Sequence, residues 1–103
     1  MAFNKSHLFD PADQMTSSFA KALSHPVRLD ILRILASQGS CPVRTLFRRY
    51  PLSKSTVSQH LEMLRETGLV NYKEEYPHVF YSLEPSNFKK HIAFLLEYCQ
   101  KIQ

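Results

Sequence analysis

The placement of proline and glycine constrains this chain more than any other feature. It contains six prolines and two glycines, and each falls at the edge of a stretch with apolar periodicity. Asp10-Pro11 and Ser24-His25-Pro26 have the form of helix starts, with proline at the first helical position, where its missing N–H costs nothing. After the first, Met15, Phe19, Ala22 and Leu23 recur at helical spacing and predict a helix over about 11–23. After the second, Val27, Ile31, Ile34 and Leu35 form the stripe of another helix, and Gly39 suits its C-terminal stop. Pro42 opens a short third helix carrying Val43, Leu46, Phe47 and Tyr50. Pro51 closes it, because the residue before a proline is pushed out of helical geometry.

The segment PLSKSTVSQHLEMLRETGLV, residues 51–70, carries two patterns at once. Ser53 is a good N-cap. Val57, Leu61 and Leu64 at i, i+4 and i+7 define one buried face. Gly68 stops the helix, and Leu69 packs back on its last turn. With that face inward, steps of 100° per residue turn Ser55, Gln59 and Glu62 outward and put Thr56 and Ser58 on the flanks. The runs LVNYKEEY and HVFYSL, separated by Pro77, alternate apolar and polar residues and predict a two-stranded antiparallel hairpin. Pro85 starts a last helix that runs nearly to the end. Its Phe88, Ile92, Leu95, Cys99 and Ile102 are spaced as a heptad-like seam, which Phe94, Leu96 and Tyr98 widen. A domain this small does not cover such a helix alone, and a second subunit is the economical cover.

The reading is therefore a single domain over 1–103, mainly α with a small β-hairpin, in the order α-α-α-α-β-β-α. The third and fourth helices, joined by YPLS, make a helix-turn-helix over about 41–67, and the hairpin makes a wing over about 69–84. The segments ALSHPVRLDILRIL, PLSKSTVSQHLEMLRETGLV and VFYSLEP resemble the arsenic-repressor (ArsR) family of bacterial winged-helix repressors, over roughly residues 15–100. The resemblance implies a homodimer paired through the first and last helices, about 11–23 and 85–102. Met15 and Phe19 would there join Phe88, Ile92, Leu95, Cys99 and Ile102. It also implies a cytoplasmic, sequence-specific transcriptional regulator: a repressor that binds double-stranded operator DNA and leaves when an effector, here unidentified, binds.

Charge supports a nucleic-acid partner. The chain has a formal net charge of +4, yet residues 28–65 alone hold seven bases against two acids, a surplus of five. Positive charge concentrates on the helix-turn-helix, as phosphate binding requires. The candidate DNA contacts are Arg44, Lys54, Ser55, Thr56, Ser58, Gln59, His60, Arg65 and Lys73. The short polar residues suit base edges and phosphates in the major groove, and Gln59 suits a bidentate contact to adenine. Lys54 and Arg65 suit phosphates. His60, beside the buried stripe, reads first as a packed histidine at the groove edge. Arg28, which follows the His-Pro pair, reads first as a brace for the second helix and second as a phosphate contact. The wing tip KEEYPH places Glu74 and Glu75 where DNA would repel them, so the wing contributes little or turns its carboxylates away.

That acidic wing also supports the alternative of a protein-docking winged helix. An enzyme is not expected: with only Gly39 and Gly68 there is no glycine-rich phosphate loop, and no nucleophile–base spacing stands out. No metal or other cofactor is expected either. Aligned on the family's CVCDL-type metal motif, the two cysteine positions fall on Pro42 and Arg44, and Asn87, His91, Glu97 and Cys99 lack the spacing of the family's last-helix site. Two cysteines are too few for a disulfide framework and suit free thiols in the cytoplasm. A thiol-redox sensor using Cys41 and Cys99 is a further alternative. Cys41 is its more reactive member, beside a helix N-terminus and near arginines 44, 48 and 49, whereas Cys99 reads as a small buried hydrophobe. Family members that sense oxidants carry a cysteine in the second helix, and DILRIL has none. No apolar run approaches the roughly 18 residues of a membrane span, and MAFNKSHLFDPADQM does not read as a signal peptide.

Overall fold

Asp10 begins the described structure's first helix as the sequence requires: its Oδ1 accepts from Ala12 N at 2.8 Å, capping α1 (Pro11–Ala22). The computed structural model describes residues 8–103; of MAFNKSHLFDPADQM, read above as no signal peptide, residues 1–7 lie outside them. His25 caps α2 (Pro26–Gln38), its Nδ1 accepting from Val27 N at 3.1 Å, and Gly39 with φ 81° ends it. Then follow β1 (Ser40–Pro42), α3 (Val43–Arg49), α4 (Lys54–Glu66), β2 (Val70–Glu75), β3 (His78–Leu83) and α5 (Pro85–Lys101). This is the expected winged helix-turn-helix, mainly helical with a small sheet.

One element departs from expectation. The expected antiparallel hairpin forms, β2 pairing with β3 from Val70↔Leu83 to Glu75↔His78, but a third strand joins it, giving a sheet in the order β1-β3-β2. Ser40, Cys41 and Pro42 pair with Ser82, Tyr81 and Phe80. Three residues are too few to show an alternation. Pro42, which lacks a ladder N–H, is tolerated because β1 lies at the sheet's edge. Pro42 therefore ends a strand and serves as the N-cap of α3 rather than its first residue.

The core sits where the helices meet the sheet. Ile31 and Leu35 of α2, Leu46 of α3, and Val57, Leu61 and Leu64 of α4 are fully buried with Leu69. α4 ends in a Schellman motif: Gly68 N donates to Arg65 O at 2.9 Å and Leu69 N to Leu64 O at 3.0 Å, with Gly68 at φ 79°. A side chain at Gly68 would also press on Asn87, whose Nδ2 lies 3.1 Å from the position of an added Cβ. α1 lies against α5 of the same chain. Phe19 meets Phe88 edge-on at 5.7 Å between centroids and His91 at 5.2 Å.

Candidate nucleic-acid interface

α4 is held from one side and open on the other. Ser53 Oγ caps it, accepting from Thr56 N at 3.2 Å, and also meets Ser55 Oγ at 3.1 Å and Thr56 Oγ1 at 2.9 Å. The three hydroxyls thus form one cluster over the first turn. Ser55 stays exposed, while Thr56 is half-buried and partly committed to the cap. Ser58 and Gln59 are exposed and make no side-chain hydrogen bond among the described residues. Lys54 is exposed at the helix N-terminus, its Nζ 5.9 Å from the Phe47 ring centroid, which links its stem to α3.

The basic residues divide into two groups. Arg44 and Arg48 on α3 are exposed and form no ion pair among the described residues. The candidates drawn from sequence omit Arg48; its place in the basic run before Pro51 was the available signal. Arg49 is committed elsewhere: its Nε donates to Asp30 Oδ2 at 2.7 Å, and Tyr50 Oη donates to the same oxygen at 2.6 Å. The Arg49 hydrogen bond, then that of Tyr50, hold the Asp30 carboxyl below its ordinary pKa. Burial, with the Asp30 carboxylate beside it, pushes the Tyr50 phenol far above its ordinary value. This cluster ties the end of α3 to α2. Arg65 is also engaged, donating to both Glu62 oxygens at 2.9 and 2.5 Å, with its guanidinium 5.8 Å from the Tyr72 ring centroid. Its Nη1 keeps two N–H donors outside this pair, but Glu62 stands beside any phosphate that they meet.

His60 and Arg28 occupy the junction behind the open face. Arg28 Nη1 lies 2.9 Å from His60 Nδ1. A guanidinium only donates, so Nδ1 is the acceptor and His60 is neutral. Burial, then the neighbouring His25 and Arg28, lower the His60 pKa. The His25 and His60 rings meet at a tilt of 42°, 4.2 Å between centroids. Arg28 also donates to Ala22 O at 2.8 Å, Lys21 O at 3.0 Å and Ser24 Oγ at 3.1 Å. It is a brace, as the sequence favours, but it works through carbonyls and an imidazole rather than a salt bridge.

In the wing, Lys73 pairs with Glu75 at 3.3 Å, Glu74 is exposed, and the turn between β2 and β3 is made by a cis Tyr76–Pro77 bond with Tyr76 98% exposed. Lys73 therefore reaches any polyanion with a carboxylate alongside.

Cys41 reverses the expectation of a reactive thiol. It lies on β1, is 0% exposed, and its Sγ contacts Pro42 O at 3.6 Å. Burial pushes the thiol pKa up, outweighing a hydrogen bond to Thr45 that acts the other way. The strand inserted before α3 carries Cys41 into the core, where burial outweighs its place beside the α3 N-terminus. Cys99 is half-buried on α5. His91 is buried under Phe19, with Nδ1 donating to Asn87 O at 2.8 Å. No group of three metal-ligating side chains forms among the described residues.

The residues expected at a dimer interface separate. Phe19 is 2% exposed within the single chain, and Phe88 and Leu95 pack on the same core, because α1 covers this side of α5. Met15 and Cys99 are half-buried. Ile92 and Ile102 remain exposed, together with Leu96 and Tyr98.

A family profile described as bacterial regulatory protein, arsR family, matches residues 25–72. The chain is 42% identical over 84 residues to the transcriptional activator HlyU of Vibrio cholerae, covering 81% of this chain and 77% of that protein. The solved structure of HlyU superposes with a TM-score of 0.69 at 32% identity, covering 92% of this chain and 100% of that one. The structure of the transcriptional repressor BigR from Xylella fastidiosa gives a TM-score of 0.64 at 28% identity, over 94% of this chain and 98% of that one.

Proposed function

This chain belongs to the arsR family of DNA-binding transcriptional regulators, and from that premise we propose that it is a dimeric repressor that reads its operator through α4 and is released by an effector. One observation carries the reading. A helix pinned by three fully buried residues, Val57, Leu61 and Leu64, turns Ser55, Ser58 and Gln59 to solvent. Such a helix end enters a major groove with its first turns leading. Ser55, Ser58 and Gln59 meet base edges; Thr56 holds the cap and adds a hydroxyl. Lys54, Arg44 and Arg48 meet phosphates, and Arg65 joins them through Nη1, with Glu62 alongside. His60 acts through its bond to Arg28 more than by direct contact, and Lys73 contributes little. Pairing uses Met15, Ile92, Cys99 and Ile102, extended by the exposed Leu96 and Tyr98, around a base already formed by Phe19, Phe88 and Leu95. Two copies then place their α4 helices in successive major grooves. The described residues include no helix long and apolar enough to cross a membrane.

Fluorescence anisotropy with DNA from upstream of the gene tests this. Specific binding is expected at moderate salt, with log K falling linearly in log salt concentration. Ser55→Ala with Gln59→Ala should reduce the preference for operator over random DNA while leaving the circular dichroism spectrum unchanged. Absence of any sequence preference would overturn the reading. The likeness to an activator supports a second reading of the regulatory sign. Transcription in vitro from the bound promoter decides: added protein lowers the transcript in a repressor and raises it in an activator.

A further inference from the structure

We propose that the groove between α2 and α5 binds a small amphipathic anion, a molecule with an aliphatic body and a single carboxylate-type headgroup. The groove is open to solvent and offers about 660 Å³, within the usual size of small-molecule sites. Its walls are almost wholly apolar, built by Leu32 and Ala36 of α2 and Phe88, Ile92 and Leu95 of α5. The charged side chains lining it are Arg33 from one wall and Lys89 from the other, and no acid joins them.

Neither cation is fully committed among the described residues. Lys89 is exposed and forms no ion pair among the described residues. Arg33 lies 3.3 Å from Asp30, but that carboxylate is already held at 2.7 Å by Arg49 and at 2.6 Å by Tyr50. The Arg33 side chain accordingly stays 74% exposed. An apolar slot between a lysine with no ion pair among the described residues and an arginine that only shares a carboxylate with Arg49 and Tyr50 is complementary to an apolar chain that ends in a negative charge. A neutral oil leaves the cations unused, and a cationic amphiphile is repelled. A second copy docked groove to groove about a two-fold axis would set Arg33 and Lys89 against their own copies, so the groove itself suits a ligand better than a second groove, and Ile92 at its edge is the exposed residue it shares with the pairing proposed above. The site lies outside α4 and stands independently of the DNA reading.

Calorimetric titration of the full chain, without DNA and at several protein concentrations, tests the proposal. The probes are sodium decanoate, decanol and decyltrimethylammonium, each below its micelle threshold. Saturable decanoate binding is expected, about tenfold tighter than either analogue, as one charge-assisted contact implies. Arg33→Gln and Lys89→Gln should each weaken decanoate by roughly the same factor. Ala36→Phe, which fills the slot, should abolish it. Circular dichroism reports whether the Phe variant folds, and the two exposed charge variants decide if it does not. No saturable binding, equal affinity for the three headgroups, unchanged affinity in both charge variants, or a signal that tracks self-association would each overturn the proposal. Loss of operator binding in the same preparation would count against the DNA reading alone.

Discussion

Removing the Arg28 guanidinium should destabilise the fold severely, although the residue lies at a helix start and is not fully buried. Arg28→Met keeps most of the aliphatic stem and deletes four hydrogen bonds. The bonds to Ala22 O at 2.8 Å and to His60 Nδ1 at 2.9 Å are part-buried; those to Lys21 O and Ser24 Oγ are exposed. Each part-buried, charge-assisted bond contributes about 1.5 kcal/mol, and each exposed one about 0.5 kcal/mol. Allowing for non-additivity, the loss is about 3 kcal/mol. Much of it arises because Ala22 O, near the end of α1, loses its side-chain donor away from water. For a chain of this size the melting temperature should fall by roughly 15 °C, and the urea midpoint by about 1–2 M at unchanged m. Arg28→Lys should recover less than half, since one ammonium cannot span acceptors on two helices. Urea denaturation followed by circular dichroism measures all three proteins. A loss below about 1 kcal/mol for Arg28→Met would mean that water replaces these bonds freely, and the brace argument would be wrong.

Three further outcomes follow from the same structure. His60 has a folded pKa lowered from 6.5 by burial, so the unfolded chain binds the extra proton first. Stability should therefore fall as pH drops below about 6.5, and His60→Gln should flatten that limb of a urea-midpoint titration. Asp30, held below 3.8 by Arg49 and Tyr50, adds a second acid loss only below that value, which Asp30→Asn should remove. Cys41 should react with a thiol reagent only as fast as the fold opens, and at once in urea; rapid labelling in native buffer would contradict its burial. Gly68→Ala should cost about 1–2 kcal/mol by thermal melting, from the positive φ and the crowding against Asn87; a neutral effect would show that the Schellman turn relaxes.

Helix starts and stops were legible because their causes are local. Asp10, Ser53 and Gly68 act within three residues of themselves, and Val57, Leu61 and Leu64 declare the buried face of α4 by spacing alone. β1 was not legible, because its strand character comes from pairing with Phe80, Tyr81 and Ser82, some forty positions away. That one omission also misplaced Cys41, since the strand turns its thiol inward. Phe88 and Leu95 belong to the apolar seam read from spacing, but spacing cannot distinguish a partner's helix from the chain's own α1, whose Phe19 meets Phe88. The engagement of Arg49 by Asp30 was hidden for the same reason: the two are distant in sequence and adjacent only once α3 folds back on α2.

The corner between α4 and α5 governs how motion can pass through the molecule. Glu84 N donates to Leu69 O at 2.9 Å, and Asn87 Nδ2 donates to Gly68 O at 3.2 Å. The exit of α4 is thereby fastened to the entry of α5 at the one glycine that would otherwise serve as a swivel. With that corner fastened, a tilt of α5, about 25 Å long, should carry α4 with it rather than be absorbed between them. A molecule that wedges α5 away from α2 would change the angle of the recognition helix without touching it. For the dimer proposed above, which would grip two grooves at once, a change of angle would be a change of fit.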